Sequence, residues 1–264
     1  MTGALRAELL KITTTRLWWT MLVCVLVLGA AYAVLPAAIA LLSSEAAGTT
    51  EPFADPGTLR SVYNGGNTLT RILALVVGIM SLGTEYRHRT LAGTYLATPH
   101  RYRLLAAKSA ALLVLGLCYG VASVLAGVLV AVPFVLTQHG SFFLDRGDVW
   151  RSLVLGVLAI ALWTLIGMGV GILVRNIVLA MLLGIGFSYL VEPTLSVLFL
   201  FRGWDLPLNL MPSGATNAML GVTSPVLLAT SQPLTWWQGA LVLTGWCVLP
   251  AVAGALLTIS RDVD

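Results

Sequence analysis

Residues 151–200 read RSLVLGVLAIALWTLIGMGVGILVRNIVLAMLLGIGFSYLVEPTLSVLFL. They form two apolar blocks, 151–174 and 177–200, which are separated only by Arg175 and Asn176. A helix of roughly 24 residues rises about 36 Å, enough to cross the roughly 30 Å hydrocarbon layer of a bilayer. This stretch therefore predicts two membrane-spanning helices, and the short link predicts that they form a tight antiparallel hairpin.

The same criterion applies along the whole chain. Hydrophobic residues make up 58% of the sequence and charged residues only 10%, against roughly 25% charged residues in soluble domains. We therefore predict an all-α polytopic membrane protein, a single transmembrane domain over 1–264 with six transmembrane helices. The spans are expected at about 17–42, 67–83, 109–132, 151–174, 177–200 and 236–259, and the outer loops at 43–66, 133–149 and 201–235.

Two of the outer loops have distinct compositions. Residues 43–66 are rich in Ser, Thr, Gly and Pro and carry three acids, which predicts an exposed loop. Residues 201–235 are Pro-rich but too apolar for plain coil. Because Pro suits the first turn of a helix, Met211-Pro212-Ser213 predicts the start of a short helix within this loop.

The N-terminal residues 3–16 have an amphipathic pattern. Leu5, Leu9 and Ile12 recur at helical spacing, while Glu8 and Lys11 supply charge between them. This pattern predicts a short elbow helix that lies in the membrane interface. The alternative is a frayed polar tail.

The distribution of Lys and Arg predicts the orientation. The N-terminus, the 84–108 loop, the turn at 175 and the C-terminus together hold ten basic residues, and the other set of loops holds five. Because cytoplasmic loops carry an excess of Lys and Arg, both termini are expected in the cytoplasm.

The segment 84–108 is the most informative part of the chain. It contains TEYRHRTL at 84–91 and PHRYR at 99–103, and Pro99 suits the first turn of the next helix. One interpretation is that its arginines only enforce orientation. The other is that the segment contains a short helix across the inner membrane face, through which a soluble partner moves the spans.

Here the sequence resembles the membrane subunit, or permease, of the ABC-2 type of ATP-binding cassette transporter. The resemblance rests on Glu85 to Leu91, on Ala97-Thr98-Pro99 with Arg101, on Lys108, and on the N-terminal run Leu5 to Lys11. Two departures are that Arg89 stands where the family often has Gly, and that the first outer loop is long.

The resemblance implies a role for the 84–108 segment. Residues 85–98 would form a coupling helix that docks on a separate ATP-hydrolysing subunit, beside the elbow helix. The residues implied in coupling are Glu85, Arg87, Arg89, Thr90, Leu91, Pro99, Arg101 and Arg103.

The resemblance also implies an assembly and a location. Two permease chains, identical or different, would join two ATP-binding cassette subunits in a bacterial inner (plasma) membrane, with both termini cytoplasmic. The complex would export a hydrophobic or amphipathic compound: a drug, antibiotic, lipid or peptide. The expected partners are these subunits and the lipid bilayer, and not nucleic acid.

Motifs of catalysis are missing from the sequence. There is no Gly-x-x-x-x-Gly-Lys-Ser/Thr loop to hold phosphates, so ATP-Mg is expected in the partner subunit and no cofactor or catalytic residue in this chain. The three histidines (His88, His100 and His139) are dispersed, which predicts no metal site.

A self-sufficient secondary transporter or channel is the main alternative function, and an intramembrane enzyme is the third.

Glu192, which precedes Pro193, is the one acid inside a predicted span. Because a carboxylate within a bilayer is costly, such residues often serve function. Glu192 and Pro193 are therefore candidates for the translocation path or for gating. The alternatives are that Glu192 reaches outer-leaflet water, or that it pairs with Arg71 or Arg202.

Small residues recur four apart in two spans, at Gly116/Gly120 and Gly167/Gly171. Such pairs allow helices to approach closely. Packing within the chain is favoured over a dedicated dimer seam, because chance pairs are expected among 26 glycines.

Overall fold

The computed structural model describes residues 2–46, 48, 52–87, 101–138, 140–174, 176–222 and 234–261. Within these ranges the chain is helical and no strand is found, which confirms the all-α prediction. The long helices are α2 (Leu17–Ala46), α4 (Asn67–Arg87), α5 (Arg101–Thr137), α6 (Gly147–Leu173) and α11 (Trp236–Arg261). The shorter helices are α1 (Thr2–Thr14), α3 (Pro56–Tyr63), α7 (Ile177–Gly186), α8 (Glu192–Arg202), α9 (Asp205–Leu210) and α10 (Pro212–Leu220).

Helix α6 is the centre of the bundle and packs against α4, α5 and α11. Its buried side chains include Ile160, Trp163 and Ile166. Helix α2 and the α7–α8 pair lie at the periphery, where α2 contacts α5 and α4, and α7 contacts α4 more extensively than α6. Large apolar side chains such as Val27 and Leu182 are exposed on these peripheral helices, as expected for surfaces that border lipid.

Five helices of the described part are long and apolar enough to cross a membrane: Leu17–Ala46, Leu105–Thr137, Gly147–Leu173, Ile177–Arg202 and Trp236–Gly254. Each overlaps one of the predicted spans. Helix α4, the predicted second span, is not among the five, and its first turns carry Asn67, Thr70 and Arg71. The crossing by α4, and with it the count of six, stays a prediction.

The bundle has two ends that differ in content. At one end Glu8 of α1 meets Lys108 of α5, and Gly254 of α11 lies against the last residues of α6. We call this the terminal end. At the other, the far end, the hydroxyl of Tyr63 in α3 donates to the carbonyl of Phe142 in the α5–α6 connection.

Both ends of the 84–108 segment, which is predicted as a loop, are helical. Helix α4 continues to Arg87 and α5 begins at Arg101, so only 88–100 separate them and lie outside the described residues. The predicted boundaries at 84 and 108 are corrected accordingly. They followed the end of the apolar run, whereas Arg, Lys, Glu and Ala are good helix formers that let a helix extend beyond it.

The first outer loop also contains unpredicted structure. Helix α3 is capped by Asp55, whose side chain accepts a hydrogen bond from Thr58 N at 3.1 Å, and Pro56 occupies its first turn. Leu59, Val62 and Tyr63 are buried. The prediction that 43–66 is an exposed loop is therefore wrong for this helix, because its three inward-facing residues are scattered among Ser, Gly and Thr.

The fifth span is not a regular helix. A π-helical turn at Phe187–Val191 joins α7 to α8, and Pro193 lies in the first turn of α8. Pro193 has no N–H to donate to the preceding turn, and the wider π-helical turn lies directly before this gap. In the third outer loop, α10 begins at Pro212 as predicted.

Candidate functional site

A buried ion pair joins α1 to α5 at the terminal end. Lys108 Nζ lies 2.9 Å from Glu8 Oε2, and Lys11 Nζ lies 2.7 Å from Glu8 Oε1. Lys108 Nζ also donates to the carbonyl oxygen of Ser81 on α4 at 3.4 Å. Glu8 and Lys108 are buried, whereas Lys11 is exposed. We call Glu8, Lys11, Ser81 and Lys108 the terminal junction, because they tie three helices together.

The charge of Glu8 is stabilised despite its burial. Burial alone raises the pKa of this carboxyl, but hydrogen bonds from Lys11 and Lys108 outweigh that effect. The net pKa of Glu8 is therefore below the ordinary value of 4.5. A charged, doubly paired carboxylate is a rigid fixing point for α1.

The predicted elbow residues lie on α1. Ile12 packs against the main core, Leu9 is half-buried, and the side chain of Leu5 is outside the described part. Helix α1 thus holds residues 3–14 of the predicted elbow, and its position in a membrane interface stays a prediction. Its inward face includes Glu8, which the sequence pattern alone assigned to the charged positions.

Four of the predicted coupling residues lie on the two helices, α4 and α5, that the terminal junction joins to α1. Glu85 and Arg87 lie in the last turn of α4, and Arg101 and Arg103 in the first turn of α5, with only their backbone described. Arg89, Thr90, Leu91 and Pro99 lie outside the described residues. Lys108 therefore connects the two helices that flank residues 88–100 to the N-terminal helix.

A buried polar cluster lies at the far end. Asn64 Nδ2 donates to Ser152 Oγ at 3.0 Å, and Asn67 Nδ2 donates to Asn64 Oδ1 at 3.2 Å. Ser123 Oγ donates to Asn67 Oδ1 at 2.7 Å. We call Asn64, Asn67, Ser123 and Ser152 the asparagine cluster. It fixes the start of α4 against α5 and α6, and none of its members was predicted as a functional residue.

A cavity of about 340 Å³ lies beside this cluster, between α2, α4 and α10. Arg71 lines it, and its Cζ lies 5.5 Å from the centre of the Trp163 ring. Trp163 Nε1 in turn donates to Thr216 Oγ1 at 3.0 Å. The lining residues are Tyr32, Leu35, Pro36, Ile39, Ser61, Asn64, Gly65, Asn67, Thr68, Arg71, Thr216, Asn217, Leu220 and Val222.

Glu192 lies behind the cavity and is only 1% exposed. Its Oε1 accepts hydrogen bonds from both Ser213 N and Ser213 Oγ, each at 2.5 Å, at the start of α10. Its Oε2 has no hydrogen-bond partner among the described residues. The ion pairs of the described part do not include one from Glu192 to Arg71 or Arg202, although the charge of Arg71 is close enough to attract it. Pro193, its neighbour, is exposed.

A sequence model described as ABC-2 family transporter protein matches residues 4–192. The match covers more than two thirds of the chain, from α1 to the first residue of α8. The chain belongs to the ABC-2 transporter family. This confirms the resemblance that the 84–108 segment and the N-terminal run indicated. A search among curated proteins finds no match.

Membership of the ABC-2 family gives the site a context. Such chains are the membrane subunits of transporters, are generally not catalytic, and generally work with an ATP-binding subunit in a bilayer. The cavity and α10 extend from the asparagine cluster at the far end to Trp163 near the middle of α6, whereas the terminal junction lies at the terminal end. The helix bundle therefore separates a candidate ligand site from a candidate coupling site.

Proposed function

We propose that this chain is the permease subunit of an ABC exporter and forms the path for a hydrophobic or amphipathic compound. ATP hydrolysis takes place in a separate subunit. The single observation that carries the proposal is the ABC-2 family match over 4–192, which includes the whole 84–108 segment. The excess of basic residues at the terminal end supports a cytoplasmic location for both termini and for the coupling segment. The proposed setting is a bacterial plasma membrane, with a second permease chain as partner.

In this proposal the terminal junction transmits force. The ATP-binding subunit docks on the segment between α4 and α5, where Arg87, Arg89 and Leu91 lie. Because Lys108 is paired with Glu8 and bonded to Ser81, a displacement of this segment moves α1, α4 and α5 together. Movement of α4 then reaches the far end, where Asn67 and Arg71 line the cavity.

The coupling role predicts a loss of partner binding. Changing Arg87→Ala, Arg89→Ala and Leu91→Ala together should abolish co-purification of the ATP-binding subunit with the tagged chain from native membranes. Vanadate-sensitive ATP hydrolysis should disappear from the purified material. The two basic side chains and the apolar one are expected to supply the charge and the packing of the docking surface.

A far-end variant is the control for this experiment. Arg146→Ala with Arg202→Ala also removes two arginines, but from the end opposite the coupling segment, so it should leave the complex intact. An intact complex in the triple variant would contradict the coupling role. If no ATPase co-purifies with the unmodified chain, the proposal that it is a transporter subunit would be contradicted. A self-sufficient transporter or channel would then be favoured.

We also propose that Glu192 and Pro193 act in gating at the far end. The two bonds from Ser213 hold α10 against α8, and α10 supplies Thr216, Asn217 and Leu220 to the cavity wall. Loss of these bonds releases one wall of the cavity. The π-helical turn before Pro193 supplies a weak point in the span at which α8 can tilt.

Glu192→Gln is expected to open the cavity more often. A neutral amide accepts weaker hydrogen bonds than a carboxylate, by about 1 kcal/mol, so the labelling rate of a cysteine in the cavity should rise roughly fivefold. The reporter is Asn217→Cys, labelled in intact cells with a membrane-impermeant maleimide, in a chain whose Cys24, Cys118 and Cys247 are replaced.

The matched control is Arg202→Cys, an exposed position outside the cavity, whose labelling should be the same with Glu192 or Gln. Equal labelling of Asn217→Cys in both backgrounds would argue against a gating role for Glu192.

A further inference from the structure

Arg71 carries a positive charge at the wall of the cavity. Within the described part of the chain, its guanidinium makes no hydrogen bond and no ion pair within 4.0 Å; it rests on the face of Trp163. A guanidinium has five N–H donors and keeps its charge in proteins. Arg71 is only half-buried, and its nitrogens are not among the enclosed polar atoms of the described part, so they are open to the cavity. The donors that line the cavity are therefore available to a ligand.

The cavity has the charge of an anion site. Of the described residues that line the cavity, Arg71 is the one that is charged at neutral pH. None of these lining residues is an Asp or a Glu. Glu192 attracts Arg71 from outside the cavity, but the ion pairs of the described part include none between them within 4.0 Å. The cavity therefore offers a positive charge that no lining carboxylate neutralises.

The remaining walls divide into a polar and an apolar part. Asn67 and Asn217 carry amides on the α4 and α10 sides of the cavity, whereas both N–H groups of Asn64 already donate within the protein. Leu35 and Ile39 line the α2 side and are also exposed on the outer face of α2. A volume of about 340 Å³ is within the range of small-molecule sites, roughly 300–1,000 Å³. A ligand here meets hydrogen-bond donors at one end and an apolar exit along α2 at the other.

We propose that this cavity binds a single-chain amphiphile with one anionic head group, a carboxylate or a phosphate. Arg71 pairs with the head group in a bidentate manner, the amides of Asn67 and Asn217 donate to its remaining oxygens, and the chain leaves along Leu35 and Ile39. The inference rests on the proposed transport function in one respect: it names the class of compound that the permease would carry.

The test measures binding of labelled dodecyl phosphate to the full-length chain in phosphatidylcholine nanodiscs, with empty nanodiscs as the background. One saturable site per chain is expected. Arg71→Gln should weaken it about tenfold or more, in line with the loss of a charged hydrogen-bond partner. Arg202→Gln removes an exposed arginine outside the cavity and should leave binding unchanged. Equal affinity in Arg71→Gln and the unmodified chain would overturn the proposal.

Two further variants distinguish a loss of the binding site from misfolding of the chain. Arg71→Lys keeps the charge but not the planar fork, so it should bind more weakly than the unmodified chain and more tightly than Arg71→Gln. Thr68→Trp fills the cavity and should abolish saturable binding while α4 keeps its arginine. Undiminished binding in Thr68→Trp would place the probe elsewhere and overturn the site.

Competitors identify the chemistry and the source of the ligand. Dodecyltrimethylammonium, with the same chain and a cationic head group, should not displace the probe, and full displacement by it would overturn the anionic preference. Inorganic phosphate should compete poorly, and equal competition would overturn the amphiphile. Displacement by lysophosphatidylglycerol, a single-chain anionic lipid placed in the nanodisc, would identify the bilayer as the source of the amphiphile, and no displacement would identify a soluble source.

This binding assay uses the permease chain without its ATP-binding partner. A chain that binds the probe but recruits no ATPase would contradict the proposed function and leave the site intact. A chain that recruits an ATPase but does not bind the probe would contradict the site and leave the proposed function intact.

Discussion

Gly78→Ala is expected to destabilise the whole bundle, although it adds a single methyl group. A Cβ at residue 78 would overlap the carbonyl oxygen of Thr164 and lie 2.7 Å from Met168 N on α6. Both atoms belong to the backbone of the central helix, so no side chain can rotate away. Overpacking of this kind typically costs about 1–3 kcal/mol, and a clash between backbones is at the upper end.

The contact is reciprocal, which increases the expected effect. A Cβ at Gly167 of α6 would overlap the carbonyl oxygen of Leu75 on α4. Without a hydrophobic driving force between helices in lipid, close packing through small residues supplies much of the attraction. Separating α4 from α6 would also displace Arg71 from the Trp163 ring.

Thermal unfolding of the purified chain in detergent, followed by size-exclusion chromatography, measures this prediction. Gly78→Ala should lower the midpoint and the yield of monodisperse protein. The matched control is Gly245→Ala on α11, where an added Cβ meets no atom within 4 Å. Equal stability of the two variants would contradict the close approach of the α4 and α6 backbones at Gly78.

The close contacts of α6 with α4 and α5 also show what the small-residue pairs do. Gly116 and Gly120 of α5 face α6, at Ala161 and Val157, while Gly167 and Gly171 of α6 face α4. All four pack within the chain, so the prediction of internal packing is confirmed. Spacing alone could not say which helix each glycine faces, because that depends on the order of helices in the bundle.

The apolar spans were predictable because their length alone is diagnostic in a membrane protein. The start of α10 was predictable because Pro212 has a strong positional preference. Helix α3 was not, because eight residues give too short a pattern, and its buried face is Leu59, Val62 and Tyr63 among polar neighbours. The irregular turn before Pro193 had a sequence indication, a proline inside an apolar run.

The candidate site was mostly hidden from sequence reasoning. Glu192 was found because an acid inside a span is conspicuous, but its partner Ser213 lies in another helix. The members of the asparagine cluster are neutral residues that are common in loops, and they come together only when α4, α5 and α6 pack. The sequence presents Arg71 only as a possible partner of Glu192, since the cavity around it requires α2 and α10.

The second large effect is expected for Lys108→Met, which removes the buried partner of Glu8, 100 residues away in sequence. Breaking a buried ion pair by deleting one member typically costs about 3–5 kcal/mol, and the lower end is expected here because Glu8 keeps the exposed Lys11 as its one remaining cationic partner among the described residues. Thermal unfolding should therefore begin at a much lower temperature, and α1 should become susceptible to limited proteolysis before the spans do.

Lys11→Met is the matched control, because it removes the other cation bonded to Glu8 from a side chain that is 50% exposed. Exposed pairs are worth only about 0–1 kcal/mol, so this variant should melt close to the unmodified chain. A similar loss in both variants would show that burial of Lys108 is unimportant, and no loss in either would remove the terminal junction as a fixing point.

The pH dependence of stability gives an independent check on the same pair. The pKa of Glu8 is lower in the folded chain than its ordinary value of 4.5, so above that pH the carboxylate contributes its full stabilisation. As the pH falls below 4.5, the unfolded carboxyl takes up a proton first, and the stabilisation is lost as the pH falls through the folded pKa. Glu8→Gln has no proton to take up and should lose this part of the acid sensitivity. In the unmodified chain the same protonation loosens α1 from α5 and α4, which carry the coupling segment, so acid should weaken recruitment of the ATP-binding subunit before it unfolds the spans.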